Sequence, residues 1–353
     1  MADTLFISCA EPSGDRLGAE LVEALRRLRP GLEVRGCCGP RLRQQGADAV
    51  VRMEEVAVMG ISAVLPRLPE LLRARRRLAA ELDKATVAVF IDGPSLHLPL
   101  ARNARNKGTF TIGYVCPQVW AWKPERTAQV GAAFDRLLCL FDFEPPLLAA
   151  AMAVNGGEAV HVGHPLLDRL PPSTLRKAEA DHIALLPGSR AQELDRHLSG
   201  FLQTAARVVA ARPGTRVSLV SPEALDLPLP PGIARVDDIR AIQHCRAALT
   251  KSGTVTLELA WMGVPQLVAH HVAVLTHLVG RALVRHVDHV AMPNVLARRQ
   301  VVPERLGAID PGRLADELLA LPEEQPVDLQ ALGEAGASAR AARIVAAALA
   351  EHA

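Results

Sequence analysis

Short apolar runs alternate with helix-like segments along almost the whole chain. The runs are residues 5–7, 34–36, 87–91, 109–115, 136–140, 183–186, 217–220, 247–250 and 266–268. Most of them are largely apolar and are separated by helical patterns. Parallel strands that are covered by helices on both faces have this character, because neither face meets water. The sequence therefore predicts an α/β fold with parallel sheets.

The alternation pauses once, around residues 160–172, where glycine and proline interrupt it. A chain of 353 residues is long enough for two domains of ordinary size. We expect Rossmann-like domains at 1–170 and 171–330, and a C-terminal helix at 331–353 that packs back on the first domain. Two such domains facing a central cleft form the GT-B architecture, which is the expected fold class.

The composition excludes several classes of function. The net charge is only +2 and aromatic residues make up 3% of the chain, so a nucleic-acid partner is not expected. The six cysteines form no Cys-x-x-Cys pair, which is typical of a reduced cytosolic protein. The chain begins without a signal-peptide pattern.

One stretch raises the question of a membrane span. Residues 259–280 contain no Asp, Glu, Lys or Arg. Gly263, Pro265, His270, His271 and His277 interrupt the stretch, so we expect no spanning helix.

Two turns in the second half have the character of phosphate-binding turns. Each follows an apolar run, contains small residues and leads into a helical pattern; the residues are Gly188, Ser189 and Arg190 in one, and Ser252, Gly253 and Thr254 in the other. Unpaired N–H groups at a helix start bind anions, and glycine permits close approach. Arg190 adds a fork suited to a diphosphate, and Glu258 is placed to accept from ribose hydroxyls. The alternative is two ordinary strand-to-helix turns.

A third turn follows the first apolar run. Ser13 and Gly14 suit an anion-binding turn, and Glu11 and Asp15 are acidic groups that we expect to face the cleft. The alternative is that Ser13 only caps a helix.

Further motifs occur in a fixed order. They are 114–122 with Trp120 and Trp122, 143–144, 163–165 and 292–296 with Asn294. Together with the three turns, this set resembles lipid-A-disaccharide synthase from about Leu5 to about Leu306.

The resemblance implies an inverting GT-B glycosyltransferase. Such an enzyme joins UDP-2,3-diacylglucosamine to 2,3-diacylglucosamine 1-phosphate through a β-1,6 linkage and releases UDP. It implies no cofactor and no metal, and a peripheral position on an anionic membrane, at the cytoplasmic face of the inner membrane. Whether the chain forms a homodimer stays open.

The resemblance also implies roles for particular residues. In the UDP-sugar domain, Arg190 and the amides of 252–254 hold the diphosphate, Glu258 holds the ribose, and Asn294 contacts the sugar or phosphates. The acceptor and lipid side comprises Glu11, Ser13, Gly14, Asp15, Met59, Trp120 and Trp122.

One loop departs from the family. The family has Asp-x-Pro-Asp-Phe-Asn, whereas residues 92–97 here read Asp-Gly-Pro-Ser-Leu-His. Ser95 thus stands where the family has its favoured base, and a serine hydroxyl is no base unaided. This departure leaves three alternatives. His97 or Asp92 acts as the base in place of Ser95, the acceptor differs from that of the family, or the chain binds the UDP-sugar but turns over slowly. His97 also suits a structural role, and Asp92 also suits a helix cap.

Two basic stretches have more than one interpretation. Residues 58–65, including Met59, are apolar and lead into Arg67, Arg73 and 75–77. This pattern predicts either a helix at an anionic bilayer or a core helix with a solvated basic face. The histidines of 270–289 lack a cysteine or acidic cluster, so a metal is not expected.

Three alternatives to the synthase remain at this point. The first is a GT-B relative with another glycolipid acceptor, and the second is a UDP-sugar epimerase of GT-B shape. The third is a catalytically weak UDP-sugar or lipid-binding homologue, for which Ser95 is the main argument.

Overall fold

The chain folds into two compact units. The computed structural model describes residues 4–56, 61–119, 126–175, 177–189, 191–221, 229–271 and 289–352. Unit 1 comprises Met1–Asp168 and Ala331–Ala353, and unit 2 comprises Arg169–Gln330. The division after Asp168 is close to the expected boundary at 170.

Unit 1 contains a sheet of seven parallel strands. They are β1 (Thr4–Cys9), β2 (Glu33–Cys38), β3 (Asp48–Arg52), β4 (Val87–Ile91), β5 (Phe110–Tyr114), β6 (Arg136–Cys139) and β7 (Glu158–His161), in the order β3-β2-β1-β4-β5-β6-β7. The strand order reverses between β1 and β4. In open α/β sheets, ligands bind beyond the carboxyl ends of the strands at such a point.

Unit 2 contains a second parallel sheet of six strands. They are β8 (Glu179–Leu186), β9 (Arg216–Val220), β10 (Ile233–Val236), β11 (Cys245–Thr250), β12 (Gln266–His270) and β13 (Glu304–Leu306), in the order β10-β9-β8-β11-β12-β13. Here the order reverses between β8 and β11. The expected α/β fold with two Rossmann-like units is confirmed.

The described helices follow the strands along the chain. They are α1 (Pro12–Leu28), α2 (Pro40–Gln44), α3 (Met53–Val56), α4 (Ile61–Leu82), α5 (Pro94–Asn106), α6 (Thr127–Gly131), α7 (Glu144–Ala153), α8 (Leu166–Arg169), α9 (Ala191–Ala211), α10 (Val255–Trp261), α11 (Met292–Ala297), α12 (Pro311–Leu319) and α13 (Ala337–Glu351). Short 3₁₀ turns occur at Ser173–Leu175, Ile239–Ile242 and Gln330–Leu332.

Each unit has its own apolar core. In unit 1, Phe90 lies between Phe6 and Phe134, with ring centroids 5.9 and 6.2 Å away. In unit 2, Leu185 and Leu249 of the central strands belong to the buried cluster, together with Phe201 of α9 and Leu314 of α12. Burial of such side chains is the main favourable contribution to folding.

The uncharged stretch 259–280 is not one continuous helix. Its described part contains the end of α10 at Trp261 and then β12 (Gln266–His270). Among the described helices, none combines the length and apolar character needed to cross a bilayer.

Candidate functional site

The two predicted phosphate-binding turns lie side by side in unit 2. β8 and β12 are the neighbours of β11, and Thr250 at the end of β11 pairs with Leu186 on one side and Val268 on the other. The turns that follow β8 and β11 therefore leave the same edge of the sheet, together with the residues after β12.

A close approach explains the glycine of the first turn. Gly188 has φ +130°, and a Cβ there would lie 2.5 Å from Cβ of Glu193. The backbone N–H of Ser189 donates to Oε2 of Glu193 at 2.9 Å. The Glu193 carboxylate thus already accepts from one of the backbone N–H groups with which this turn could bind an anion. Arg190 lies outside the described residues.

Sequence reasoning missed the cation at this edge, Lys251. Its ammonium lies 2.7 Å from Oε1 of Glu193, and each of the two side chains is 18% exposed. The signal was available, because Lys251 stands between the apolar run of β11 and the Ser-Gly-Thr turn.

Three histidines complete the group around the second turn. Ser252 Oγ lies 2.7 Å from Nδ1 of His270, and the ring of His270 lies 5.4 Å from that of His197. The backbone N–H of His271 donates to Nε2 of His197 at 3.0 Å. Burial lowers the pKa of His270 to about 4 and also lowers the pKa of His197. Both rings are therefore neutral at neutral pH.

Glu258 has a partner that the sequence did not indicate. It is buried on α10, and Oε1 accepts from Nη2 of Arg169 at 2.6 Å. The indole N–H of Trp261 donates to the carbonyl of Leu170 at 3.0 Å. These two contacts fasten α10 to the segment that enters unit 2, and the contact with Arg169 orients the Glu258 carboxylate.

Asn294 is placed differently from the expectation. Its side chain is fully buried, and Oδ1 accepts from the N–H groups of Val301 at 2.7 Å and Val302 at 2.8 Å. Its Nδ2 donates to the Val302 carbonyl at 2.8 Å and to Glu304. The amide thus has no exposed surface for a sugar or phosphate, and it holds the loop before β13.

In unit 1, the turns after β1 and β4 are in contact. Cys9 and Ile91 are register partners at the strand ends. A Cβ at Gly93 would lie 2.8 Å from Cβ of Ala10, and one at Gly14 would lie 3.2 Å from the carbonyl oxygen of Ile91. Gly14 therefore allows α1 to pack closely on β4.

The acidic residues of the first turn differ in their surroundings. α1 begins at Pro12, so Glu11, not Ser13, has the cap position, and Glu11 is partly exposed. Asp15 is buried and accepts from the backbone N–H groups of Arg41 at 2.8 Å and Leu42 at 3.1 Å. The expectation that Asp15 is an acidic group facing the cleft is therefore wrong. Its buried carboxylate caps α2 instead.

The loop after β4 holds two consecutive left-handed residues. Asp92 has φ +52° and Gly93 has φ +58°. Gly93 has the cap position of α5, so Asp92 does not cap it, and Ser95 is exposed in its first turn. Asp92 is partly exposed, and its backbone N–H donates to the Tyr114 carbonyl at 3.0 Å. Left-handed backbone at a non-glycine residue is uncommon and concentrates at functional sites.

His97 lies in the core, below this loop. Its ring is 1% exposed, with Nδ1 against the carbonyl oxygen of Asp92 and Nε2 2.9 Å from Ser8 Oγ. Burial lowers its pKa to about 4. Both nitrogens are therefore occupied, which supports the structural interpretation of His97 over the catalytic one.

The described part of α4 has a buried apolar face and also exposed leucines and arginines, so it agrees with both interpretations of the basic segment. Ala74, Leu78 and Leu82 are buried, whereas Leu68 and Leu72 are 45% and 46% exposed. Arg73, Arg75 and Arg76 are exposed beside them. Met59, Trp120 and Trp122 lie outside the described residues.

Three potential metal ligands lie close together in unit 1, and none of them belongs to the histidine-rich stretch 270–289. The ligand atoms of Cys116, Cys139 and Glu144 are within 4.8 Å of one another. Oε2 of Glu144 already accepts from the N–H groups of Leu140 at 3.1 Å and Phe141 at 3.2 Å. The hydrogen bond with Cys139 and burial raise the pKa of Cys116, so the geometry fits a protonated Cys116 thiol beside a carboxylate that already accepts two backbone hydrogen bonds.

The chain is similar over nearly its full length to one family. The family model described as lipid-A-disaccharide synthetase matches residues 5–325. Lipid-A-disaccharide synthase from Anaeromyxobacter sp. (strain K) is 36% identical, covering 98% of this chain and 97% of the relative. The enzyme from Pseudomonas aeruginosa (strain UCBPP-PA14) is 37% identical, covering 91% and 90%. That from Myxococcus xanthus (strain DK1622) is 34% identical, covering 97% and 96%.

Solved structures with low identity share the fold. UDP-GlcNAc 2-epimerase from Methanocaldococcus jannaschii, in complex with UDP-GlcNAc and UDP, has a TM-score of 0.58 at 12% identity and covers 97% of this chain and 98% of its own. The glycotransferase of kitacinnamycin has a TM-score of 0.55 at 17% identity, covering 100% and 96%. These similarities identify the fold as GT-B, which glycosyltransferases and epimerases share.

Proposed function

This chain belongs to the lipid-A-disaccharide synthase family, and from that premise we propose how its described residues divide the transfer between them. The chain is a glycosyltransferase of lipid A biosynthesis that joins UDP-2,3-diacylglucosamine to 2,3-diacylglucosamine 1-phosphate and releases UDP. The observation that carries this function is 36% identity to a synthase over 98% of the chain. It does not favour another acceptor, an epimerase or a binding-only homologue.

Unit 2 binds the UDP-sugar in this proposal. The diphosphate lies against the turns of Gly188 and Ser189 and of 252–254, where backbone N–H groups at the start of α9 and α10 favour negative charge. The family resemblance adds Arg190, which lies outside the described residues, as a donor to the same phosphates. The Glu258 carboxylate, oriented by Arg169, accepts from the ribose hydroxyls.

Unit 1 binds the acceptor and supplies the base. Asp92 takes the proton of the acceptor hydroxyl as that oxygen attacks the anomeric carbon of the donor sugar. The bond from this carbon to the UDP oxygen breaks, and UDP leaves with the negative charge. Attack from the face opposite to UDP inverts the anomeric centre. The partly exposed position of Asp92 at the point where the strand order reverses supports this role, and Glu11 lies at the neighbouring strand end.

The acyl chains and the bilayer meet unit 1 at α4. Leu68 and Leu72 are exposed apolar side chains, and Arg73 and Arg76 are exposed cations on the same helix. An anionic membrane attracts such a helix by both kinds of contact. We propose that this contact lies at the cytoplasmic face of the inner membrane, as the family resemblance implies.

An incubation with both substrates tests the activity. The purified protein is mixed with UDP-2,3-diacylglucosamine and 2,3-diacylglucosamine 1-phosphate in detergent, and products are identified by mass spectrometry. Disaccharide 1-phosphate and UDP are expected in equal amounts. Release of UDP without disaccharide, or binding of UDP without any product, would contradict the proposed function.

A further inference from the structure

We propose that Lys251 is a direct ligand of the diphosphate of the nucleotide sugar. This inference rests on the proposed function of unit 2 and adds a binding residue to it. Lys251 directly follows β11, the strand that pairs with β8, and directly precedes the second turn. The chemical class that its ammonium would recognise is a nucleoside diphosphate.

The backbone fixes where the lysine begins. Its N–H donates to the Leu186 carbonyl at 3.0 Å, so pairing with β8 continues for one residue beyond Thr250. The Cα of Lys251 is thereby held next to the start of the Gly188 turn. The next three residues form the second turn, so Lys251 adjoins both turns.

The side chain is directed over this edge of the sheet. The ammonium lies 2.7 Å from Glu193 Oε1 and 3.5 Å from the place where a Cβ would stand at Gly253. The ammonium therefore lies within contact distance of the second turn. A phosphate group resting on either turn would come within reach of this ammonium.

The surroundings of Lys251 strengthen the interaction of its ammonium with other charges. Its side chain is 18% exposed, and charges interact more strongly where water is largely excluded. His197 and His270 add no charge at neutral pH, because burial lowers the pKa of each. An ammonium has three N–H donors, so Lys251 can bind a phosphate oxygen while it keeps its contact with Glu193.

Glu193 shows that an anion fits this position. Its carboxylate accepts from the Ser189 N–H at 2.9 Å and from the Lys251 ammonium. A phosphate oxygen uses the same two kinds of donor. The competing explanation is that the pair is only a clip between α9 and β11, in which Lys251 neutralises Glu193 without touching the ligand.

Calorimetric titration of the full chain with UDP and with uridine separates these explanations. We expect Lys251→Met to weaken UDP binding about 10- to 100-fold, the range for one charge-assisted hydrogen bond. Uridine binding should change less than about 2-fold, because uridine has no phosphate. Lys107→Met is the matched control, since Lys107 also pairs with a carboxylate at 2.7 Å, in unit 1.

A second background isolates the lysine from its partner. Glu193→Gln retains an oxygen for the Ser189 N–H but removes the charge, so Lys251→Met in that background leaves no unpaired carboxylate. We expect the double variant to bind UDP about 10-fold more weakly than Glu193→Gln alone. Equal UDP affinity in these two proteins, or equal losses for uridine and UDP, would overturn the role of Lys251. A wild-type chain that does not bind UDP would instead overturn the proposed function itself.

Discussion

At the scale of single residues, the hydrogen bonds of His97 determine its protonation state. The Asp92 carbonyl can only accept, so Nδ1 carries the proton and Nε2 accepts from Ser8 Oγ. The ring is neutral and buried, and it stacks at a tilt on Phe90 with centroids 5.6 Å apart. His97 therefore supports the carbonyl of the residue that we propose as the base, and does not compete with it.

This burial predicts a pH dependence of stability. The pKa of His97 is lowered from 6.5 to about 4, so the unfolded chain binds the proton more readily than the folded chain. The contribution of neutral His97 to the free energy of unfolding is complete above pH 6.5. It is lost as the pH falls towards 4, by about 3 kcal/mol over that interval. Denaturant titrations between pH 7 and 4 should show that the free energy of unfolding falls less with decreasing pH for His97→Gln than for the wild type. Parallel curves for the two proteins would refute this account.

The assignment of the base also belongs to this scale. Asp92→Asn keeps a residue type that tolerates left-handed backbone, but it cannot take a proton. We expect transfer to fall by a factor on the order of 100 to 10,000 with UDP affinity unchanged. Ser95→Ala should alter the rate less than about 2-fold, because an unassisted hydroxyl is no base. Steady-state UDP release measures both variants, and a fully active Asp92→Asn would exclude Asp92 as the base.

Sequence reasoning located turns better than it located the direction of side chains. The sequence predicts Asp15 and Asn294 as site residues, yet both side chains point inward, where backbone N–H groups of 41–42 and 301–302 require acceptors. Lys251 was missed because its partner Glu193 is 58 residues away in the chain. Such pairings depend on strand order, which an apolar pattern does not reveal.

At the scale of elements, the strands that the apolar pattern missed share one property. Nine strands coincide with predicted runs, and the other four are β3, β7, β10 and β13. These four lie at the edges of the two sheets. An edge strand is partly exposed and need not be apolar, as the burial of β7 and β10 shows. The pattern therefore predicts the centre of each sheet and not its borders.

α4 provides a test of membrane contact at this scale. Replacing Leu68 and Leu72 by Asp removes exposed apolar surface and adds negative charge, so binding to vesicles that contain anionic lipid should fall at least about 10-fold. Co-sedimentation with vesicles measures it. Thermal stability should be retained, because neither side chain lies in the core. The control is Leu147→Asp, which alters a leucine that is also exposed, on α7. Equal vesicle binding by the double variant and the control would exclude α4 as the contact.

At the scale of the whole molecule, unit 1 is built from both ends of the chain. α13 packs on α1, and the His352 ring stacks on Phe110 with centroids 4.4 Å apart. Arg340 donates to the Val162 carbonyl at 2.8 Å. Unit 2 is continuous in sequence and has a separate core. The last residues thus serve the fold of the unit that begins the chain, although they follow the unit that we propose to bind UDP.

This division predicts that a change in α13 acts on one unit only. Leu349 is 2% exposed, and Leu349→Ala should destabilise unit 1 by about 2 to 5 kcal/mol, through lost burial and a cavity. Hydrogen exchange read by mass spectrometry should then speed up in α1 and β1, while β8 and β11 keep their protection. UDP affinity should remain at the wild-type value. The matched change Leu314→Ala, in the core of unit 2, should reverse the pattern and weaken UDP binding. If either variant loosened both units equally, the cores would not be independent, and the assignment of donor binding to unit 2 alone would fail.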